Sequence, residues 1–151
     1  MSAAQMIRVA RIFAEMTQEE LARRSGVVQP NIAAYENGTR QPSATMLTRL
    51  LTAARPRPSA MLAEHRGEVL AAVSKHRASN VRVFGSVARG EDTADSDVDL
   101  LVTFHDDASM LDQSRIVIDL EKLLHCPVDV VSDETLGRRS ASILHDAVPL
   151  S

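Results

Sequence analysis

The stretch AARPRPSA, Ala53 to Ala60, divides the chain before anything else in it is read. Pro56 and Pro58 each lack a backbone N–H and push the preceding residue away from helical geometry, so no helix can run through them. Alternation of proline with arginine favours a short extended linker. The charge balance changes at the same place. Residues 1–59 carry eight Lys+Arg against four Asp+Glu, giving +4, and residues 60–151 carry nine against sixteen, giving −7. A chain of 151 residues, 44% hydrophobic, is long enough for two small cores. The expected organisation is a basic module over 1–54, a linker over 55–59 and an acidic module over 60–151.

Several classes are set aside by composition. A single cysteine, Cys126, rules out a disulfide framework and fits a reducing cytoplasm. The N-terminus carries Arg8 and Arg11 inside its apolar stretch, unlike a secretory leader, and no apolar run is long enough for a membrane span. No Cys/His spacing of a metal site is present. Cys126 reads as a small buried hydrophobe before Pro127. His65, His76, His125 and His145 read as helix-surface or helix-end residues, and His105 as surface. Arg138 and Arg139 read as solvated or partner-facing.

The first module reads as four helices. Met6, Ile7, Ala10 and Phe13 recur at helical spacing. Thr17 followed by Glu20 is a capping box, and Gly26 is a stop signal. Pro30 is tolerated in the first turn of a helix that ends at Gly38. Ser43 opens a last helix that directs Met46, Leu47, Leu50 and Leu51 inward. The segment TQEELARRSGVVQPNIAAYENGTRQPS resembles the Cro/C1-type (XRE) helix-turn-helix family over residues 5–54. The physics gives compatible roles. Gln18 stands at a helix N-terminus, which favours a phosphate. The helix from Gln29 would lie in the major groove, with Gln29, Asn31 and Ala34 facing base edges and Arg40 placed for backbone phosphate. Ile32 and Tyr35 face the core. The resemblance further implies an ion pair of Arg11 with Glu36. A module of this size offers little contact area, so it is expected to read operator DNA as a dimer. A helical packing module without DNA binding is the alternative.

After the linker the pattern alternates. A helix from Ser59 to about His76 precedes the strand VRVFG, a second strand DVDLLVTF, the helix MLDQSRIVIDLEKLL, a third strand PVDVVS and a short closing helix ASILHDAV. This is an α+β pattern around a small mixed sheet with helical cover. In a strand, Asp97 and Asp99 point to one side while Val98, Leu100 and Val102 point to the other. Asp129 repeats the design between valines. If the two strands are neighbours, three carboxylates converge, and such anions need a cation between them. Oxygen ligands without Cys or His select Mg²⁺ or Mn²⁺, and two such ions would clamp a phosphoryl displacement. Gly85 permits close backbone approach, Ser86 opens a helical turn, and Arg89 can grip a phosphate through two bonds. Glu91, Asp92, Asp95, Asp106 and Asp107 read as solvated.

GSVARGEDTADSDVDLLV resembles the signature of the minimal nucleotidyltransferases (MNT) of the DNA polymerase β-like superfamily, over Ala60 to Ser151. VDVV fits the family's third acid, and ILHDAVPL its closing segment. The resemblance implies that Ser86 and Arg89 hold nucleotide phosphates, that Asp97 and Asp99 bind both metals, and that Asp129 binds the catalytic metal and orients or deprotonates the attacking hydroxyl. It also implies ATP as substrate and a HEPN ribonuclease toxin as partner, with AMP transferred to a toxin tyrosine by a self-repressing antitoxin. A homodimer or a hetero-oligomer with the toxin would follow. Two other readings stay open: neutralisation by sequestration alone, and a transcriptional regulator that senses a nucleotide. The whole chain is therefore expected to be an all-α four-helix helix-turn-helix domain followed by an α+β minimal nucleotidyltransferase domain.

Overall fold

The structure, a computed structural model, describes residues 1–136 and 140–150, with the backbone only at Ser140 and Ala141. Arg138 and Arg139 lie outside the described residues. The chain forms two compact units, Met1–Pro56 and Arg57–Ser151. Arg57 to Ser59, which the Pro/Arg pattern assigns to the linker, belong to the second unit.

Four helices make the first unit: α1 (Ala3–Phe13), α2 (Gln18–Ser25), α3 (Gln29–Glu36) and α4 (Ala44–Ala53). Their starts are written locally. Thr17 accepts from the Glu20 N–H at 3.1 Å while the Glu20 carboxylate accepts from the Thr17 N–H, and Ser43 accepts from the Met46 N–H at 3.1 Å. α2 stops at Gly26, which has a φ of 74°. Ile7, Leu21, Ile32 and Leu50 are wholly buried, with Met16, Val27, Tyr35 and Ala54 around them. Phe13 departs from its expected inward position and is 47% exposed. The core-facing stripe of α1 runs through Ile7, Ala10 and Ala14, which leaves Phe13 to one side. Met46, Leu47 and Leu51 are only half-buried.

A polar junction ties α1 to α3. Arg11 donates from Nε to Glu36 Oε1 at 2.6 Å, from Nη2 to Glu36 Oε2 at 3.3 Å, and from Nη1 to the Met16 carbonyl at 2.8 Å. Glu36 also accepts from the Gln18 side-chain amide. The paired side chains are 15% and 5% exposed, so this charge pair is largely withdrawn from water.

The second unit opens with α5 (Pro58–Glu64) and α6 (Arg66–Lys75). The sequence pattern reads these as one helix, but the chain breaks at His65, where φ is −102° and ψ 21°. Then come β1 (Ala78–Phe84), α7 (Gly85–Arg89), β2 (Val98–Phe104), α8 (Met110–Leu124), β3 (Val128–Ser132), a 3-10 turn (Asp133–Thr135), α9 (Ser140–Asp146) and β4 (Val148–Pro149). The sheet order is β3-β2-β1-β4. β1 pairs antiparallel with β2 and with β4, and β2 pairs parallel with β3 across α8. One face packs Val98, Leu100, Val102, Val128 and Val130 against Val69 and Val73 of α6 and Ile116, Leu120 and Leu124 of α8. The opposite face carries Asp99 and Asp129.

Two polar side chains are more buried than the sequence implies. Asp92 is not solvated: its carboxylate accepts from Arg57 Nη2 at 2.9 Å and from the Ser59 N–H at 2.8 Å. Its side chain is inaccessible to water. His76 is also buried at the end of α6 and bonds Asp119 of α8 at 2.7 Å. Cys126 is half-buried against the core, and burial, then Asp97 and Glu121, push its thiol up.

Two stability predictions follow from these contacts. Replacing Glu36 with Ala leaves the Arg11 guanidinium half-partnered and should lower the stability of the helical unit by about 2–4 kcal/mol in denaturant titrations. Burial pushes the Asp92 carboxyl up, but the bonds from Arg57 and Ser59 prevail and hold it below the ordinary carboxylate value. A carboxyl depressed on folding adds stability above its unfolded pKa of about 3.9 and loses it as pH falls towards the folded value. Asp92→Asn should therefore cost about 1–2 kcal/mol at neutral pH and flatten the acid limb of a stability–pH curve.

Candidate functional site

The parallel register of β2 and β3 sets Asp99 directly opposite Asp129, so both side chains leave the same face of the sheet. Asp97 precedes the first strand residue, Val98, and lies near enough for its charge to act on Asp99. Asp97 and Asp129 are exposed and Asp99 is half-buried. The charges of Asp97 and Asp129 act on Asp99. Burial, then Asp97, then Asp129 push the Asp99 carboxyl up to about 6, with Arg89 opposing. Among the described residues no group of His, Cys, Asp and Glu side chains forms a ready-made metal cluster, so the aspartates converge without closing on one point.

β1 delivers the other half of the site. Phe84, its last residue, pairs with Asp99, and the chain turns at once into α7. Gly85 has a φ of 73°, and a Cβ there would lie 3.2 Å from Asp99 Cγ and closer still to Oδ2. Only glycine combines that backbone angle with that approach. Ser86 follows, half-buried, and its hydroxyl makes no hydrogen bond among the described residues. α7 ends at Gly90 in the left-handed region. Arg89 is not idle. Its Nε donates to Glu91 at 3.0 Å and its Nη1 to Asp146 of α9 at 2.8 Å. Glu91 first and Asp146 second hold its guanidinium above its ordinary range. Neither carboxylate is predicted from the sequence to touch Arg89. Asp146 sits in ILHDAVPL, whose spacing gives no sign of a contact 57 residues back.

Further along the same face, Arg82 Nη2 donates to Asp133 at 2.8 Å and Thr103 bonds the same carboxylate. These bonds fasten the chain leaving β3. Asp106 and Asp107 are exposed, as is His105.

In the helical unit the expected reading residues bond one another. Gln29 Nε2 donates to Gln18 Oε1 at 2.8 Å, and Gln18 in turn donates to Glu36. Arg40 donates to Asn31 Oδ1 at 3.2 Å and stands 5.7 Å from the centre of the Tyr35 ring. Ala34 is half-buried, and its carbonyl accepts from the Arg40 N–H at 3.2 Å. Ile32 and Tyr35 are buried.

Comparison with known proteins places both units. Residues 64–149 match the family described as "Nucleotidyltransferase domain", and residues 7–54 match "Helix-turn-helix". Methanocaldococcus jannaschii MJ0435, named as a protein adenylyltransferase, is 36% identical over 69 residues, which span 46% of this chain and 74% of that protein. Protein adenylyltransferase MntA of Thermococcus cleftensis is 45% identical over 56 residues, 37% of this chain and 57% of the relative. A solved minimal nucleotidyltransferase is similar at 44% identity with a TM-score of 0.55, over 60% of this chain and 94% of that one. The same fold recurs at 17% identity and TM-score 0.51 in a toxin–antitoxin structure with AMP-PNP, over 57% of this chain and 72% of that one. The chain thus belongs to the nucleotidyltransferase-domain family, as a minimal nucleotidyltransferase preceded by a helix-turn-helix domain.

Proposed function

We propose that this chain is the cytoplasmic antitoxin of a HEPN–MNT pair. It transfers AMP from ATP to a tyrosine of its HEPN ribonuclease partner and represses its own operator through the helix-turn-helix domain. The observation that carries the reading is Asp99 opposite Asp129 on one sheet face, with Asp97, Gly85 and Arg89 beside Asp99. Relatives named as protein adenylyltransferases support AMP as the transferred group and a protein as the acceptor.

The donor set fits a hard divalent cation. All three candidate ligands are carboxylates, and Asp99 is pushed up first by burial and then by the charges of Asp97 and Asp129, the part of the push that a cation would relieve. Asp97, Asp99 and Asp129 would hold two Mg²⁺, or Mn²⁺, which when bound neutralise charge developing on the phosphoryl oxygens. Ser86 and Arg89 hold the phosphate tail. Asp129 orients the tyrosine hydroxyl and takes its proton. The hydroxyl oxygen then bonds the α-phosphorus, the bond from that phosphorus to the bridging oxygen breaks, and pyrophosphate leaves with that oxygen. Arg89 must part from Glu91 or Asp146 to present a fork to phosphate.

In the first unit, Gln18 and Arg40 contact backbone phosphate, and Gln29, Asn31 and Ala34 face base edges. The bond from Gln29 to Gln18 leaves the Gln29 carbonyl oxygen free to accept. Two copies, in a homodimer or in a complex with toxin, would fill a two-fold operator.

Transfer is tested with α-labelled ATP and the co-expressed HEPN partner. Wild type should label the partner and add one AMP to its intact mass, whereas Asp97→Asn and Asp99→Asn should abolish labelling while melting like wild type. Equal labelling by those variants excludes the mechanism, and a tight complex without an adduct points to sequestration. Gly85→Ala should leave the unit folded yet lower transfer by at least about tenfold, because the added methyl displaces Asp99. Its rate, measured beside its melting curve, checks this.

A further inference from the structure

Asp97 belongs to no strand. The ladder between β2 and β3 begins at Val98, whose N–H donates to the Pro127 carbonyl at 2.9 Å and holds Asp97 from its C-terminal side only. On its N-terminal side Asp97 is reached by residues 90–96, and that segment is anchored from outside itself.

The anchor lies at the start of the second unit. Arg57 is the N-cap residue of α5 but supplies no side-chain cap, and Pro58 follows it. Asp92 takes over that role from 33 residues away by accepting the Ser59 N–H at 2.8 Å. Arg57 turns to the same carboxylate at 2.9 Å and also reaches the Gly90 carbonyl at 3.4 Å. Directly after Asp92 comes a closed turn: the Thr93 N–H donates to Ser96 Oγ at 2.9 Å and the Ser96 N–H to the Thr93 carbonyl at 3.0 Å. Asp97 is the next residue. The Glu91 N–H meanwhile donates to the Ser86 carbonyl at 2.9 Å and closes the other end of the segment on α7.

A buried carboxylate whose side chain excludes water is an unusual choice for a surface connection. It persists because both of its partners come from the N-terminal end of α5. Those partners lie before residue 64, where the nucleotidyltransferase match begins, so they are not part of the matched domain.

We propose that Arg57 and Asp92 are positioning residues of the transfer site. They clamp the 90–96 segment to the start of α5, and through the Thr93–Ser96 turn they hold Asp97 beside Asp99 for metal binding. This rests on the reading of Asp97, Asp99 and Asp129 as metal ligands.

The test uses the full chain with Arg57→Ala, Arg57→Lys and Asp92→Asn. Circular dichroism melting gives the folded fraction. Loss of the free Mn²⁺ resonance signal gives metal affinity. A nonhydrolysable ATP analogue in chelator gives metal-free nucleotide affinity, and label transfer gives turnover. Arg57→Ala should remain folded, weaken Mn²⁺ binding several-fold and lower turnover by about ten- to a hundredfold, the scale of a small misplacement of a catalytic group. Metal-free nucleotide affinity should stay within about twofold of wild type, since Ser86 and Arg89 are untouched. Arg57→Lys should recover part of the loss, and Asp92→Asn, which keeps an acceptor for Ser59, should lose less than Arg57→Ala. Wild-type Mn²⁺ affinity and turnover in Arg57→Ala would overturn the positioning role. So would an equal fall in metal-dependent and metal-free binding, which marks general disruption. A wild-type chain that binds no Mn²⁺ would overturn the metal-site reading itself.

Discussion

Like charges on one face of a sheet dominate the second unit. Asp99 and Asp129 are direct partners across a parallel strand pair, and Asp97 stands two residues away. Nothing about folding favours that arrangement, since burial and the charges of Asp97 and Asp129 raise the cost of ionising Asp99. What sustains it is the opposite face of the same strands. Val98, Leu100 and Val102 are wholly buried, and Val128 and Val130 nearly so. Apolar burial at about 25 cal/mol per Å² easily exceeds a partly solvated repulsion. Strand alternation thus makes the core and the charged site inseparable, because a one-residue slip would bury the acids and expose the valines.

The first unit concentrates its polar chemistry in one place too, but with opposite charges. Glu36 receives Arg11 and Gln18, and Gln18 receives Gln29. A single carboxylate therefore joins the packing of α1 on α3 to the side chain at the start of α3. In a buried network every member must be satisfied, and here the supply of donors is matched to one acid.

Much of this was legible in sequence because it is local. Capping boxes, glycine stops and period-two alternation act within a few residues, and they place α2, α4 and β2 well. Asp99 and Asp129 were legible on one face for the same reason, since alternation directs both away from the valines, whereas Asp97 lies just before the strand. What stayed hidden depends on distant partners. Asp92 reads as a solvated loop residue until α5 is brought against it, and Arg89 reads as free until Asp146 arrives from α9. The break at His65 and the outward turn of Phe13 reflect tertiary packing that overrides helical periodicity. β4, two residues long, is too short to leave any pattern.

That short strand bears on how the sheet meets other chains. β4 covers the outer side of β1 at Arg82 and Val83, and the Leu150 N–H adds one more bond to Val81. Pro149 within it has no N–H to offer a further strand. The far edge is β3, which presents exposed Asp129 as its second residue. One border of the sheet is thus blunted by brevity and proline, the other by a charge, which are two common safeguards against edge-to-edge aggregation. Asp129 thus belongs both to the candidate site and to the guarded edge of the sheet.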